Sequence, residues 1–297
     1  VRFDEPMRRH TSFRVGGPAE ALVRPNKKDD LVRLVCWAAE QGIACMPLGA
    51  GSNILVRENG IKGIVIVLDN CHTSIIENDP TSAVACITAG AGAKLAALCA
   101  YALKNGLKGL NFALGIPGTV GGSIRVNAGA RNGSMADVID SISVLLPQGS
   151  FRDLKKSALD FYYRGLDWPK DLALEDGGDP IILEAALRLQ RGDKRDLKKQ
   201  AEQIMRQRKA QQPWRDASAG CIFKNPEGEQ SAGQLIDMAG LKGKSIGDAE
   251  VSSCHANFII NRGQATADDV LALMDLVRST VFQRYQIQLE TEVKIVG

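Results

Sequence analysis

The chain has 297 residues, with 44% hydrophobic and 24% charged side chains. That length and balance suit a globular protein of two or three structural units around a real core. A formal net charge of +3 is too small to point to nucleic acid by itself, although it suits small anionic ligands. No apolar stretch approaches the length of a membrane span, and residues 1–10 are charged and lack the apolar run of a signal peptide, so neither is expected. The seven cysteines are odd in number and contain no Cys-x-x-Cys pair, which fits a reducing compartment and argues against a zinc site.

In chain order, residues 29–41 read as a helix. Leu31, Leu34, Val35 and Ala38 form its apolar stripe, Asp29 opens it and Gly42 ends it. Short apolar runs at 43–48, 54–56 and 64–68, parted by turn residues, read as strands, as does 84–88. Residues 91–105 read as a second amphipathic helix closed by Gly106. Glycine is dense from 115 to 133. Strands are predicted at 139–146 and 181–189, on either side of a polar, less regular segment, 148–180. A charged helix over 193–209 carries a narrow stripe of Leu197, Ala201, Ile204 and Met205, and Pro213 marks a break after it. Beyond lie a helix at 232–239, an apolar strand at 256–261, a helix at 267–285 opened by Thr266 and Asp269 as a capping box, and a final strand at 287–296. Helices and strands without strict βαβ alternation predict an α+β fold.

Two glycine loops have the composition that lets several backbone N–H groups converge on a phosphate. The first is Gly49-Ala50-Gly51-Ser52-Asn53. It is not a Rossmann fingerprint, because that loop leads from a strand into a helix and here Ile54-Leu55-Val56 reads as another strand. A tight hairpin turn is an equal alternative. The second is Gly115-Ile116-Pro117-Gly118-Thr119-Val120-Gly121-Gly122, followed by Arg125 and Asn127 in a small-residue, apolar setting. Its Pro-Gly turn predicts a short helix whose N-terminus presents unpaired N–H groups and partial positive charge. An irregular, closely packed connection is the alternative. Together the loops predict a nucleotide cofactor held in an extended pose on a non-Rossmann topology.

These loops, in this order with several other segments, resemble the UDP-N-acetylenolpyruvoylglucosamine reductases. The segments are His10-Thr11-Ser12-Phe13-Arg14-Val15-Gly16-Gly17, Phe161-Tyr162-Tyr163-Arg164, Gly220-Cys221-Ile222-Phe223-Lys224-Asn225-Pro226, Ala232-Gly233-Gln234-Leu235-Ile236-Asp237, His255-Ala256-Asn257-Phe258 and Leu289-Glu290-Thr291-Glu292-Val293. The resemblance implies a two-part FAD-binding module of the vanillyl-alcohol-oxidase (PCMH) type and a C-terminal α+β substrate-binding domain. The expected division is 1–72 and 73–206 for the two FAD-binding subdomains, 207–286 for the substrate domain, and 287–297 for a terminal strand carrying a catalytic glutamate. The short spacing from Arg164 to Ile181 resembles the shorter family type, which lacks an inserted tyrosine-bearing loop.

The family's reaction implies non-covalent FAD at the loops 49–53 and 115–127, NADPH as reductant, and the enolpyruvyl ether of UDP-N-acetylglucosamine as substrate. Hydride passes from FAD to the β-carbon of the enolpyruvyl group, and a protein acid protonates the α-carbon. By motif, Arg164 binds the substrate carboxylate, Glu292 supports the developing charge if its pKa is raised, and Cys221 donates the proton. Glu290 shares the local sequence of Glu292, and only the motif position separates them. Many relatives carry serine where Cys221 stands. A thiol of ordinary pKa, about 8.5, is mostly protonated near neutrality and is a better acid than a hydroxyl. Tyr163, Lys209, Asn225 and His255 are candidates for contacting substrate or NADPH. The structural alternatives are a solvated helix face for Lys209, a satisfied core histidine for His255, a surface salt bridge for Arg164 and a buried cysteine for Cys221. The chain also departs from the family's pattern at Ala130-Arg131-Asn132-Gly133 and at Val251-Ser252-Ser253-Cys254. A cytoplasmic monomer with no nucleic-acid or membrane partner is expected. Another flavin oxidase or dehydrogenase on the same cofactor fold, and a non-catalytic nucleotide-binding regulator, remain as alternatives.

Overall fold

The computed structural model describes residues 1–69, 71–78, 81–172 and 179–297; residues 173–178 of the polar segment 148–180 lie outside them. The chain forms two compact units. One comprises Val1, Leu22–Ala50 and Gly63–Arg206, and the other Arg2–Ala21, Gly51–Lys62 and Gln207–Gly297.

The first unit is organised by a six-stranded sheet. Its order is Phe151–Lys155, Ile139–Leu145, Ile181–Arg191, Val84–Gly90, Ile75–Glu77, with Leu107–Lys108 also paired to the central 181–191 strand. All these pairings are antiparallel. Period-2 burial explains why 181–191 sits at the centre: Ile181, Leu183, Ala185, Leu187 and Leu189 are each at most 3% exposed, and burial of an aliphatic side chain is worth roughly 1.5–3 kcal/mol. The strand outruns the predicted end at 189 because Gln190 and Arg191 still find partners in Lys108 and Leu107. The helix Lys28–Glu40 buries Leu31, Val35 and Ala38, as its stripe predicts.

The second helix starts later than its composition suggests, at Leu95 rather than 91. Residues 91–94 are a turn instead: the Ala93 N–H donates to Gly90 O at 3.0 Å, and the Leu95 N–H donates to Gly118 O at 3.0 Å. The helix ends at Gly106, whose φ of 70° is left-handed and favours glycine. The strand Cys45–Leu48 runs parallel to Ile61–Val67, with Cys45 opposite Ile64 and Leu48 opposite Val67.

The second unit holds a four-stranded antiparallel sheet in the order Ala217–Cys221, Phe258–Asn261, Ala249–Val251, Ser245–Ile246. Its helices Ala232–Met238 and Ala267–Tyr285 contribute Leu235, Ile236, Val270, Leu273, Met274, Val277 and Val281 to one core with Phe13, Ile222 and Phe223. The capping box of the 267–285 helix forms as expected: the Asp269 N–H donates to Thr266 Oγ1 at 3.1 Å and the Thr266 N–H to Asp269 Oδ2 at 2.9 Å. Glu58 adds a cap that local sequence does not show, accepting the Ala267 N–H at 2.6 Å.

Two strand expectations change. The loop 49–53 is not a hairpin turn: Cys45–Leu48 pairs with 61–67, whereas Ile54–Val56 lies parallel to Lys294–Val296. The predicted terminal strand 287–296 shrinks to Lys294–Val296. Its partner is only three residues long, and before it the chain turns to a different neighbour, where Thr291 makes an isolated antiparallel bridge to Phe223. Glu292 therefore lies between two pairings rather than inside a strand.

Candidate active site

In the first unit the start of the first glycine loop, Gly49-Ala50, meets the second loop. A Cβ added at Gly49 would lie 2.5 Å from Thr119 Oγ1, so only glycine lets the 49–50 turn approach the start of the second loop. Gly115 and Gly118 both have positive φ, 80° and 148°, and residues 114–119 are extended or turning rather than helical. Among the described residues, no carbonyl accepts from the N–H of Gly49, Ala50, Gly115 or Gly118. Four backbone donors on two adjoining loops are thus left for an anionic group, which fits a pyrophosphate.

The expected helix forms at Val120–Arg125, with Thr119 as N-cap. Its N-terminus, however, does not present unpaired amides. The Val120 N–H donates to Ala93 O and the Gly121 N–H to Ala91 O, each at 2.9 Å, and the Gly122 N–H donates to Thr119 Oγ1 at 3.3 Å. Gly121 is there for packing: a Cβ would sit 2.7 Å from that of Ala91. The carbonyls that consume these amides belong to the 91–94 turn, which the sequence reads as helix. The amides left without a carbonyl partner are therefore those of the preceding loop, not of the helix.

Arg125 and Asn127, expected as cofactor contacts, use their side chains to brace a hairpin. Arg125 donates to Leu166 O at 2.8 Å and to Asp179 Oδ2 at 3.0 Å. Asn127, 7% exposed, donates to Tyr162 O at 2.9 Å and accepts the Ala136 N–H at 3.0 Å. The hairpin so held pairs Asp160–Tyr162 with Gly165–Asp167, and its turn carries Tyr163 and Arg164. Arg164 has a left-handed φ of 62°. Its guanidinium donates to Gly129 O at 2.8 Å and lies 5.2 Å from the Tyr163 ring centre. Side-chain bonds from Arg125, Asn127 and Arg164 thus tie this hairpin to the 125–129 segment.

The second unit brings Cys221, Asn225, His255 and Glu292 onto one framework. Cys221 is half-buried at the end of the 217–221 strand, opposite Phe258. Gly220, with φ 79°, makes the bulge that turns it. The Glu292 N–H donates to Ile222 O at 2.8 Å, and the Lys224 N–H donates to Glu290 O at 2.8 Å. The segments bearing Cys221 and Glu292 are therefore hydrogen-bonded side by side. Asn53 secures the same place, donating from Nδ2 to Glu292 O at 3.3 Å and accepting the Lys294 N–H at its own carbonyl at 3.0 Å. Gly51 has φ 61°, and a Cβ there would lie 2.0 Å from His10 O. Glu290 differs from Glu292 as its motif position implies: it is 74% exposed, 3.3 Å from the Lys224 Nζ, a surface pair worth little.

His255 is partly buried, and burial pushes its imidazole below the usual range, with a backbone hydrogen bond opposing and the charge of Lys242 acting in the same direction as burial. Its Nδ1 accepts the Asn257 N–H at 3.3 Å, which leaves Nε2 as the donor of a neutral ring. Asn225 is exposed, and its Oδ1 accepts the Ala232 N–H at 3.1 Å, so it also caps the 232–238 helix. Lys209 is an exposed residue of the helix Lys194–Gln211, and no contact ties it to this framework among the described residues. Sequence reasoning passed over Thr119 and Asn257. A lone asparagine within the apolar run 256–260 was the available signal for the second. Among the described residues, no group of three His, Cys, Asp or Glu side chains is placed to hold a metal ion, and no helix is long and apolar enough to cross a membrane.

Comparison with known proteins gives a consistent result. Residues 19–155 match the FAD binding domain, and residues 212–296 match the UDP-N-acetylenolpyruvoylglucosamine reductase C-terminal domain. UDP-N-acetylenolpyruvoylglucosamine reductases from Desulfosudis oleivorans and Heliobacterium modesticaldum are 47% and 40% identical, over 100% and 99% of this chain and 95% and 90% of theirs. The crystal structure of the UDP-N-acetylenolpyruvylglucosamine reductase from Thermus caldophilus superposes with a TM-score of 0.82 at 37% identity, covering 98% of this chain and 97% of the other.

Proposed function

The chain belongs to the UDP-N-acetylenolpyruvoylglucosamine reductase family, and from that membership we propose that it reduces the enolpyruvyl ether of UDP-N-acetylglucosamine to UDP-N-acetylmuramate for peptidoglycan synthesis. It is an FAD-dependent oxidoreductase with NADPH as reductant, built from an FAD-binding domain and a C-terminal reductase domain. The observation that carries the chemical reading is the pair of segments bearing Cys221 and Glu292, bonded side by side through Ile222 O.

Bound FAD supplies the chemistry of hydride transfer, from NADPH to the β-carbon of the enolpyruvyl group. The protein's residues do the rest. The amides of Gly49, Ala50, Gly115 and Gly118 hold the anionic pyrophosphate. Arg164 binds the substrate carboxylate and stabilises the charge that develops there. Glu292, protonated, hydrogen-bonds developing negative charge, and Cys221 gives its thiol proton to the α-carbon. His255 offers Nε2–H to a substrate oxygen, with Tyr163, Asn225 and Lys209 as further contacts. Residues 1–72 and 73–206 would act as the two cofactor subdomains and 207–286 as the substrate domain. The enzyme would work as a cytoplasmic monomer.

The test is anaerobic. Yellow protein is bleached with NADPH, and the enolpyruvyl sugar nucleotide is then added. Return of the yellow colour with formation of UDP-N-acetylmuramate is expected. Flavin that stays reduced, or that NADPH never bleaches, overturns the reading; the second result would favour a nucleotide-binding regulator, and rapid bleaching reversed only by oxygen would favour an oxidase. Gly49→Val drives a branched side chain into Thr119, and this variant should purify largely without flavin. Full flavin content per chain by absorbance would remove the loop from the cofactor site.

A further inference from the structure

We infer that Asn257 is the positioning residue of the proton-donating segment, acting on Cys221 and Glu292 through the backbone of Ile222 and Phe223. Asn257 is 3% exposed and sits in the turn that leads into the buried strand Phe258–Asn261, where a carboxamide is costly unless its polar atoms are bonded. They are. Its Nδ2 donates to Phe223 O at 2.8 Å, and its Oδ1 accepts the Phe223 N–H at 3.0 Å. Its carbonyl accepts the Ile222 N–H at 2.9 Å, and its N–H donates to His255 Nδ1 at 3.3 Å.

The arrangement grips one residue from both sides. The 217–221 strand stops pairing with 258–261 after Cys221, opposite Phe258, so the Phe223 backbone has no partner in that ladder. The side chain of Asn257 replaces the missing ladder with a two-way bond. Ile222, held by the Asn257 carbonyl, presents its own carbonyl to the Glu292 N–H at 2.8 Å. The carboxamide of Asn257 therefore fixes Phe223, between the Cys221 strand end and the Glu292 segment, while its backbone carbonyl and N–H hold Ile222 and the His255 ring on either side. No other side chain of this size has both a donor and an acceptor at the positions needed. Aspartate keeps the acceptor and, when ionised, sets a carboxylate oxygen against the Phe223 carbonyl.

This inference rests on the proposed roles of Cys221 and Glu292, and two measurements on flavin-loaded Asn257→Asp protein separate the two readings. The first is the rate of flavin reoxidation by the enolpyruvyl sugar after reduction with NADPH. It should fall roughly tenfold or more at neutral pH, because a small misplacement of a reacting group is enough for that, and by much more than reduction by NADPH falls. The loss should shrink on acidification, as the introduced carboxylate gains a proton and with it the donor. His255 titrates in both proteins, so the ratio to wild type is the quantity read. The second needs no substrate: alkylation of Cys221, followed by peptide mass spectrometry, should become several-fold faster relative to Cys36 and Cys86, which lie in the other unit.

Equal slowing of both half-reactions, or a pH-independent ratio, would reduce Asn257 to an ordinary fold residue and overturn the inference. Unchanged Cys221 alkylation would overturn it as well. If Asn257→Asp does not fold, Asn257→Ser is read in the same way, without the pH arm. If wild-type flavin itself is not reoxidised by the enolpyruvyl sugar, the functional reading fails, and the alkylation measurement still decides the positioning role.

Discussion

Cys221→Ala protein is expected to bleach with NADPH and then stall, with reoxidation by the enolpyruvyl sugar nucleotide slowed roughly 10²–10⁴-fold, the usual worth of a positioned general acid. The reason is local. Cys221 ends a strand beside the Glu292 segment, while the glycine loops proposed to hold the cofactor have their free amides in a different unit. Removing one sulfur leaves the bulge at Gly220 and the grip of Asn257 on Phe223 in place, so the loss belongs to the proton and not to the scaffold. Cys221→Ser should restore much of the rate, because a hydroxyl reaches the same atom, though as a weaker acid. Stopped-flow measurement of the two half-reactions decides the matter. Equal slowing of both would return Cys221 to a packing role.

Glu292→Gln should slow turnover by roughly 10²–10³-fold, the range for losing one group that supports developing charge, while Glu290→Gln should leave it near wild type. The two glutamates stand two residues apart in nearly the same local sequence, which makes the comparison demanding. Glu290 is 74% exposed and paired with Lys224 at the surface. Glu292 is held at both ends of its backbone, its N–H by Ile222 O and its carbonyl by the Asn53 side chain. Steady-state kcat for the two variants is the measurement, and similar losses in both would remove the distinction drawn from geometry.

How much of this was legible in sequence depends on how local the cause was. The helix Ala267–Tyr285 was readable because its cap, Thr266 and Asp269, lies beside it. The glycine loops were legible as tight turns by composition alone, and Gly51, Gly115 and Gly118 do take positive φ. The error at the helix Val120–Arg125 came from distance: the carbonyls of Ala91 and Ala93 that absorb its amides lie on the far side of another helix in the chain, in a stretch whose apolar pattern mimics helix. The hairpin contacts of Arg125 and Asn127 were hidden for a similar reason. A polar residue among glycines can serve a ligand or a neighbouring turn, and the turn at Tyr162–Gly165 is brought up by the fold, not by the sequence around position 125. The terminal strand failed because its alternation is genuine while its partners change midway, from Phe223 to Ile54–Val56.

The order in which the chain assembles the second unit has a consequence for its biosynthesis. That unit is drawn from Arg2–Ala21, Gly51–Lys62 and Gln207–Gly297, so the first two pieces leave the ribosome long before the third exists. Asn53 and Ile54 must wait for Lys294, and Phe13 for Asn261. Contacts of such sequence separation make folding slow and leave apolar surface exposed in the meantime. Phe13, Val15 and Leu55, each at most 2% exposed in the finished protein, are bare on the nascent chain. The early segments of this enzyme are thus natural clients for chaperones, and its yield in a cell depends on how quickly synthesis reaches the last residues.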